Sequence, residues 1–410
     1  VKRLIVLVAV LVACVGCANS VEGKGVPGTT PVDVSKLVTG ARKTAPEGFI
    51  LKPDGQRGIR SIEARRLLER LVHPIDIDPE IRESFATSLI VGASDVESDV
   101  DRAGSLRMYK PVLEQHRLIA GARTTRINGS SRDPKTAYLA LLRFPDAEAS
   151  RAAAAQMNQI RLERNAVLAP ALPVAIPDYP DANAATITDA DLSMFQAYGN
   201  LVIRIGLQYP NPDLATVTSR AKAALDLQIR ALSDYKPIAI DDLLDLPLDQ
   251  DGMMRRAAAY GEDEPLGRNA NDLDIGLFHT SGMLHFERDP VATRAAYERA
   301  GVDLIARRFS TIYRTRDPQG AFELQAVLAK RGADDQPLAA PPGIADAVCT
   351  RFEHILGEKT KGIAKCVLVY QRYVAVVFSE NYDSAVVSTG VNKQLQERTA
   401  AQYAILAKSE

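Results

Sequence analysis

Ala137-Tyr138-Leu139-Ala140-Leu141-Leu142-Arg143-Phe144 and Phe309-Ser310-Thr311-Ile312-Tyr313-Arg314 are strand-like runs, and each leads through an aspartate and a proline into a helical pattern. In the first, Pro145-Asp146 precedes a helix from Ala147 to Ile160. In the second, Asp317-Pro318 opens one from Gln319 to Lys330, with the proline where a first helical turn tolerates it. A further strand follows in each, Ala184 to Thr188 and Ala347 to Phe352. Next comes a hairpin: Ser193 to Tyr198 turns at Gly199-Asn200 into Leu201 to Gly206, and Lys365 to Tyr370 turns at Gln371-Arg372 into Tyr373 to Phe378. A helix with one apolar stripe closes both, Leu214 to Leu232 and Gly390 to Lys408. The offset is 171 positions from Asp146 to Asp317, 172 from Leu201 to Tyr373 and 174 from Leu232 to Leu406. Register kept through five elements marks an internal repeat.

Each copy reads strand, helix, strand, strand, helix. That order predicts an α+β fold of two related modules, each a small antiparallel sheet with helices packed on one face. Extra strands are expected at Gly121 to Ile127 ahead of the first copy and at Gly282 to Phe286 ahead of the second. Ser61 to Val72 is apolar at helical spacing and predicts a helix ending before Pro74, with Ser61 and Ala64 as half a capping box. Between the copies, Pro237, Pro247, the aspartates between Asp241 and Asp249, and Gly261-Glu262-Asp263-Glu264-Pro265 mark a linker, with a short helix over Met253 to Tyr260. The expected organisation is a leader over 1–16, a tether over 17–32, an α+β module over 33–235, a linker over 236–271 and a second module over 272–410.

The ends and the composition speak to location. Val1-Lys2-Arg3, an apolar run from Leu4 to Val12 and a polar exit at Ala18-Asn19-Ser20 form a secretion signal. The apolar run is shorter than the ~20 residues of a spanning helix. Val15-Gly16-Cys17 resembles a bacterial lipobox, so Cys17 is the expected lipidation site and the membrane is an expected partner through that lipid. Leu11-Val12-Ala13-Cys14 is the alternative, although cleavage there leaves a very short leader. Of four cysteines only Cys349 and Cys366 lie in the body, and outside the cytoplasm they are expected to form a disulfide. The chain has 410 residues, 46% hydrophobic and 25% charged, enough for two cores. Its 50 basic and 51 acidic residues give a net charge of -1, with no bulk field to attract nucleic acid. Tryptophan is absent and aromatics are 6%, which argues against a sugar-stacking platform.

With the leader, the element Pro31-Val32-Asp33-Val34-Ser35, Arg143-Phe144-Pro145-Asp146-Ala147 and the terminal Ala400-Ala401-Gln402-Tyr403-Ala404-Ile405-Leu406, the chain resembles a family of uncharacterised actinobacterial lipoproteins, abundant in mycobacteria. The resemblance implies an extracytoplasmic, lipid-anchored setting in a mycobacterial-type envelope. It carries no site residues.

Chemistry is sparse. The histidines His73, His116, His279, His285 and His354 show no metal-ligand spacing, and no cofactor motif is present. His279 and His285 share a face if one strand carries both, and with Asp274 they form the best proton-transfer or metal candidate. Thr280-Ser281-Gly282 is the nearest approach to a nucleophile elbow but lacks its flanking glycines. Gly55-Gln56-Arg57-Gly58 and Gly129 read as turns. Asp241-Asp242 and Asp334-Asp335 read as solvated acids. The acidic run Asp95 to Asp101 lacks the glycine and terminal glutamate of a calcium loop. The leading expectation is a non-catalytic envelope lipoprotein binding an envelope lipid or protein where its modules meet. The alternatives are a structural or sensor-like extracytoplasmic interaction module, and a hydrolase using His279 and His285.

Overall fold

Thr136–Arg143 is apolar at nearly every position, and a strand of that kind is stable only when both faces are covered. The computed structural model, which describes residues 28, 30–49, 56–97, 105–163, 170–259, 274–356, 359–380 and 390–409, shows how this is met. Leader, Cys14, Cys17 and most of the tether lie outside the described residues, as does Gly55.

The first module contains α1 (Gln56–Arg70), β1 (Glu83–Ile90), α2 (Lys110–Gln115), β2 (Ala120–Ile127), β3 (Thr136–Arg143), α3 (Ala147–Glu163), β4 (Leu172–Pro173), β5 (Asn183–Thr186), β6 (Asp191–Tyr198), β7 (Leu201–Gln208) and α4 (Leu214–Ala231). The second contains β8 (Gly276–Phe278), α5 (Thr280–Leu284), α6 (Pro290–Ala300), β9 (Leu304–Arg307), β10 (Ser310–Arg314), α7 (Pro318–Leu328), β11 (Gln336–Leu338), β12 (Val348–Leu356), β13 (Lys359–Tyr370), β14 (Tyr373–Glu380) and α8 (Lys393–Ala407). The fold is α+β, with two seven-stranded sheets whose pairings are all antiparallel. Their strand orders are β1-β2-β3-β7-β6-β5-β4 and β8-β9-β10-β14-β13-β12-β11, the same topology twice. The aspartates flanking the prolines serve the same purpose in both copies. Asp146 Oδ1 accepts from the amides of Glu148 and Ala149, and Asp317 Oδ1 from that of Gly320 at 2.8 Å, satisfying donors that a helix start leaves open. Both hairpin turns adopt positive φ, at Gly199 in one and at Gln371 in the other.

Several expectations need correction. Helices cover both faces of each sheet, because the central strands are apolar on both sides. Tyr138, Ala140, Leu142 and Val202 meet α2 and α3, while Leu139, Leu141, Ile203 and Ile205 share a core with α1 and α4. Gly282 to Phe286 is not a strand: Gly282 to Leu284 belong to α5, and the strands ahead of the second copy are β8 and β9. α1 begins at Gln56, so Ser61 lies inside it and its hydroxyl donates to the Gly58 carbonyl instead of capping. Val34, Leu37 and Phe49, expected in the first module, and Val32, expected at the end of the tether, pack against the second, in the core that holds Ala400, Tyr403 and Leu406 of α8. Met253, Met254 and Ala257 of the expected linker are buried in that same core, where the local helix is a 3-10 turn, Met254–Arg256, flanked by Met253 and Ala257, and not an α-helix.

The modules stack front to back. The α4 side of the first sheet and the α6/α7 side of the second belong to one continuous apolar cluster, which runs from Leu141, Ile203 and Leu225 through Leu67, Leu68 and Met283 to Leu324, Val367 and Val376. By topology α4 corresponds to α8, and α2/α3 to α6/α7, so unlike faces meet.

Cys349 and Cys366 form a disulfide between directly opposed residues of β12 and β13, with Cα atoms 4.1 Å apart. Register places Ala184 and Met194 at the equivalent pair in the first module, where both are buried in the shared core. Removing the bond by Cys349→Ala with Cys366→Ala is expected to lower stability by about 2–4 kcal/mol. Cys349→Ala with Cys366→Met, the pair the first module uses, recovers part of that loss; urea denaturation of both variants checks it.

Candidate functional site at the module junction

α1 and α5 cross closely at the junction. A Cβ on Gly282 would lie 2.9 Å from Glu69 Cγ, so the glycine of Thr280-Ser281-Gly282 serves helix contact, in the one-turn helix where a nucleophile elbow was considered. Around this crossing the polar groups of each module are aimed at the backbone of the other.

Arg126 heads the fully buried side chains by size. From β2 its guanidinium donates to the carbonyls of Arg82 at 2.5 Å, Glu287 at 2.8 Å, His285 at 2.9 Å and Leu284 at 3.4 Å. Burial pulls its pKa down to about 10, against the pull of Glu287, so it stays charged at neutral pH. Thr87 Oγ1 adds a bond to the His285 carbonyl at 2.8 Å. The outer strand pair β1–β2 of the first sheet therefore grips the chain that leaves α5. Arg65 Nη1 on α1 reaches the Ile275 carbonyl at 2.8 Å, and Arg294 makes a two-pronged bond to Asp76 at 2.5 and 2.9 Å.

The two histidines expected on one strand face sit at opposite ends of α5, because the segment is helical. His279 is its exposed N-cap, with Nδ1 3.0 Å from Glu69 Oε1, and that hydrogen bond raises its pKa. His285 is fully buried, donates from Nε2 to the Leu71 carbonyl at 3.0 Å and stacks on His73 with centroids 4.9 Å apart. His73 Nδ1 accepts from the amide of Ile75 at 3.2 Å. Burial drives the His285 pKa down to about 3 and that of His73 lower still, with Arg126 and Arg294 opposing protonation of both rings. Both imidazoles are neutral, with tautomers set by these bonds. Asp274 is not with either histidine. It faces Arg307 at 3.6 Å, and its pKa is raised by burial.

The other candidates fall apart as sites. His116 Nε2 lies 2.9 Å from Gln156 Oε1 on α3, and the His354 side chain lies outside the described residues. Asp95 accepts from Arg57 Nη2 and from the Val91 amide, both at 2.7 Å, while positions 98–101 of the acidic run are outside the described residues. Asp335, expected to be solvated, has a side chain 3% exposed and takes both prongs of Arg288, at 2.5 and 3.0 Å. Among the described residues no group of three or more His, Cys, Asp or Glu could hold a metal ion. No helix among them is long and apolar enough to cross a membrane.

Sequence reasoning missed Arg126 and Glu287. Glu287 accepts from the hydroxyls of Tyr297 at 2.6 Å and Tyr313 at 2.7 Å, whose pKa values burial pushes well above 10. The signal for Arg126 was present: it is in phase with Ala122 and Thr124, the inward positions of β2, and a charge in that phase is buried or paired.

These features define a tandem of two equivalent α+β modules locked by a common core and a backbone-gripping arginine. The chain belongs to the DUF7373 family: residues 51–248 match the domain of unknown function (DUF7373) N-terminal, and residues 253–409 its C-terminal counterpart. No curated protein matches the chain. Among solved structures, the extracellular domain of PknH from Mycobacterium tuberculosis is similar at 9% identity over 42% of this chain and 97% of that one, with a TM-score of 0.28, a level from which no activity follows.

Arg126→Met removes four hydrogen bonds to buried carbonyls, of which those of His285 and Leu284 keep a second donor in the Thr87 hydroxyl and the Glu287 amide, and is expected to destabilise the protein by on the order of 3 kcal/mol, read by urea denaturation. The histidine pair sets an acid limit. Folded-state values lie below the ordinary 6.5, so unfolding takes up protons below that pH. The pair's contribution to stability is complete above pH 6.5 and is lost as pH falls toward the folded-state values, about 3 for His285, with a limiting slope of roughly 1.4 kcal/mol per pH unit for each ring. His285→Gln, which keeps a donor for Leu71, should remove about half of that slope in denaturation curves taken across the range.

Proposed function

We propose that this protein is a cell-envelope lipoprotein, held to the outer side of the membrane by a lipid on Cys17, with Cys14 as the alternative, and that its body binds an envelope lipid or protein partner. The observation that carries the location is the Cys349–Cys366 disulfide joined to the leader pattern, because such a bond persists in oxidising compartments. Thr30 bonds Asp346 from both its amide and its hydroxyl, and Lys408 Nζ reaches Thr44 Oγ1 at 3.0 Å, so the chain after the tether is fastened to the second module. About 13 residues separate Cys17 from that fastening, a span of at most about 45 Å. The tether thus joins the body at the second module.

The binding role rests on rigidity. Two modules locked by one core and by Arg126 hold a fixed surface, and the crossing of α1 and α5 is filled with side chains, so a ligand is met within a module and not between them. Mass spectrometry of the protein extracted from its native membrane should show acyl chains on Cys17 and none on Cys14. Cys17→Ala should leave the protein in the soluble fraction; membrane retention of that variant without acylation would overturn the anchor.

A further inference from the structure

We infer that the first module carries an oxyanion-binding site at Arg204, buried between β6, β7 and the α2/α3 helix layer, for a phosphate group borne by a free small molecule or by a lipid head. The inference deepens the binding role by naming a ligand chemistry. It does not depend on the lipid anchor.

Arg204 is 3% exposed, and its guanidinium is walled by aromatic rings: Tyr138 at 4.4 Å, Phe195 at 5.3 Å and Tyr109 at 5.7 Å from the ring centroids. Rings satisfy the faces of a guanidinium but leave its in-plane N–H groups to find acceptors. Nε and Nη1 are buried and have none among the described residues. Gly206 makes the room: a Cβ there would lie 3.3 Å from Nη1. Directly across the ladder from Gly206 stands Ser193, 5% exposed, whose hydroxyl is also buried without a partner. A buried charge and a buried hydroxyl on the same face of the β6–β7 ladder, both without a partner, are costly unless something with several acceptor lone pairs reaches them. An oxyanion does so.

The duplication supplies an internal control. Register equates Arg204 with Val376 and Ser193 with Lys365. The fold therefore does not need an arginine at this place. In the second module the buried cation is Lys365, and it is answered from within: Nζ donates to the Leu328 carbonyl at 2.7 Å, with Glu287 and Asp335 supplying opposite charge. The first module buries its cation under the equivalent helix pair and provides no such answer.

The test uses the full chain in detergent, titrated with inorganic phosphate against chloride at constant ionic strength, and reads the thermal midpoint together with phosphorus line broadening. Saturable stabilisation by phosphate and not by chloride is expected. Arg204→Met, which buries well in an aromatic setting, should weaken binding at least tenfold, and Ser193→Ala severalfold. A parallel arm with phosphatidylglycerol and phosphatidylcholine vesicles identifies the source: capture that needs Arg204 without a response to free phosphate assigns a lipid head, and a response to phosphate assigns a free ligand. Equal shifts with phosphate and chloride and no Arg204-dependent capture by vesicles overturn the site. So does an Arg204→Met variant that responds like the wild type in both arms. If Arg204→Met does not fold, Ser193→Ala decides, since unchanged binding in it also overturns the site. Cys17→Ala run alongside separates this result from the anchor, because its phosphate response should match the wild type.

Discussion

A sheet whose central strands are apolar on both faces has to be covered twice, and this requirement organises the protein. β3 has no solvent face to spare, so one helix layer cannot complete a module. In the first module α2 and α3 cover one side; the other is covered by α4, by α1 and by the core shared with the second module. In the second, α8 and the segment around Val32 to Phe49 close the side that would otherwise lie open. The helix layer between the sheets is thus common property, and neither module has a complete core alone.

Sharing a core brings polar backbone from two modules into a dry place, and the ionisable side chains at the junction answer it. Arg126 supplies donors to the carbonyls at the end of α5, and His285 donates to the one at the end of α1. Neutral histidines suit this work because a charged ring would be desolvated beside two arginines. The same chemistry that makes His285 a poor proton carrier near neutral pH makes it a good structural donor.

Duplication followed by unequal use explains the differences between the copies. Ala184 and Met194 lie in the common core of the first module, where apolar packing holds the strands. At the equivalent pair of the second, Cys349 and Cys366 sit beside Leu395 in a small separate cluster and are tied covalently. Likewise Val376 is packed in the core, while its counterpart Arg204 lies on the outer helix side of its sheet. Front-to-back stacking gives equivalent positions unlike neighbours, and their chemistry has diverged accordingly.

By itself the sequence determined the class, the repeat and nearly every repeated element, because strand and helix periods, aspartate caps and hairpin turns are local signals. Even the cysteine pairing was legible, since only two thiols lie in the body. The tertiary structure alone decided which faces the helices cover, that residues 32–49 belong with the second module, and that His279 and His285 are separated. The α5 segment has only five residues, too few to show a period that distinguishes helix from strand; its contact with α1 across Gly282 settles the matter. Long-range partners of buried charges, Arg126 with carbonyls two modules' edges apart and Arg204 with rings from three elements, leave no spacing in the chain, since they arise only when distant segments exclude water together.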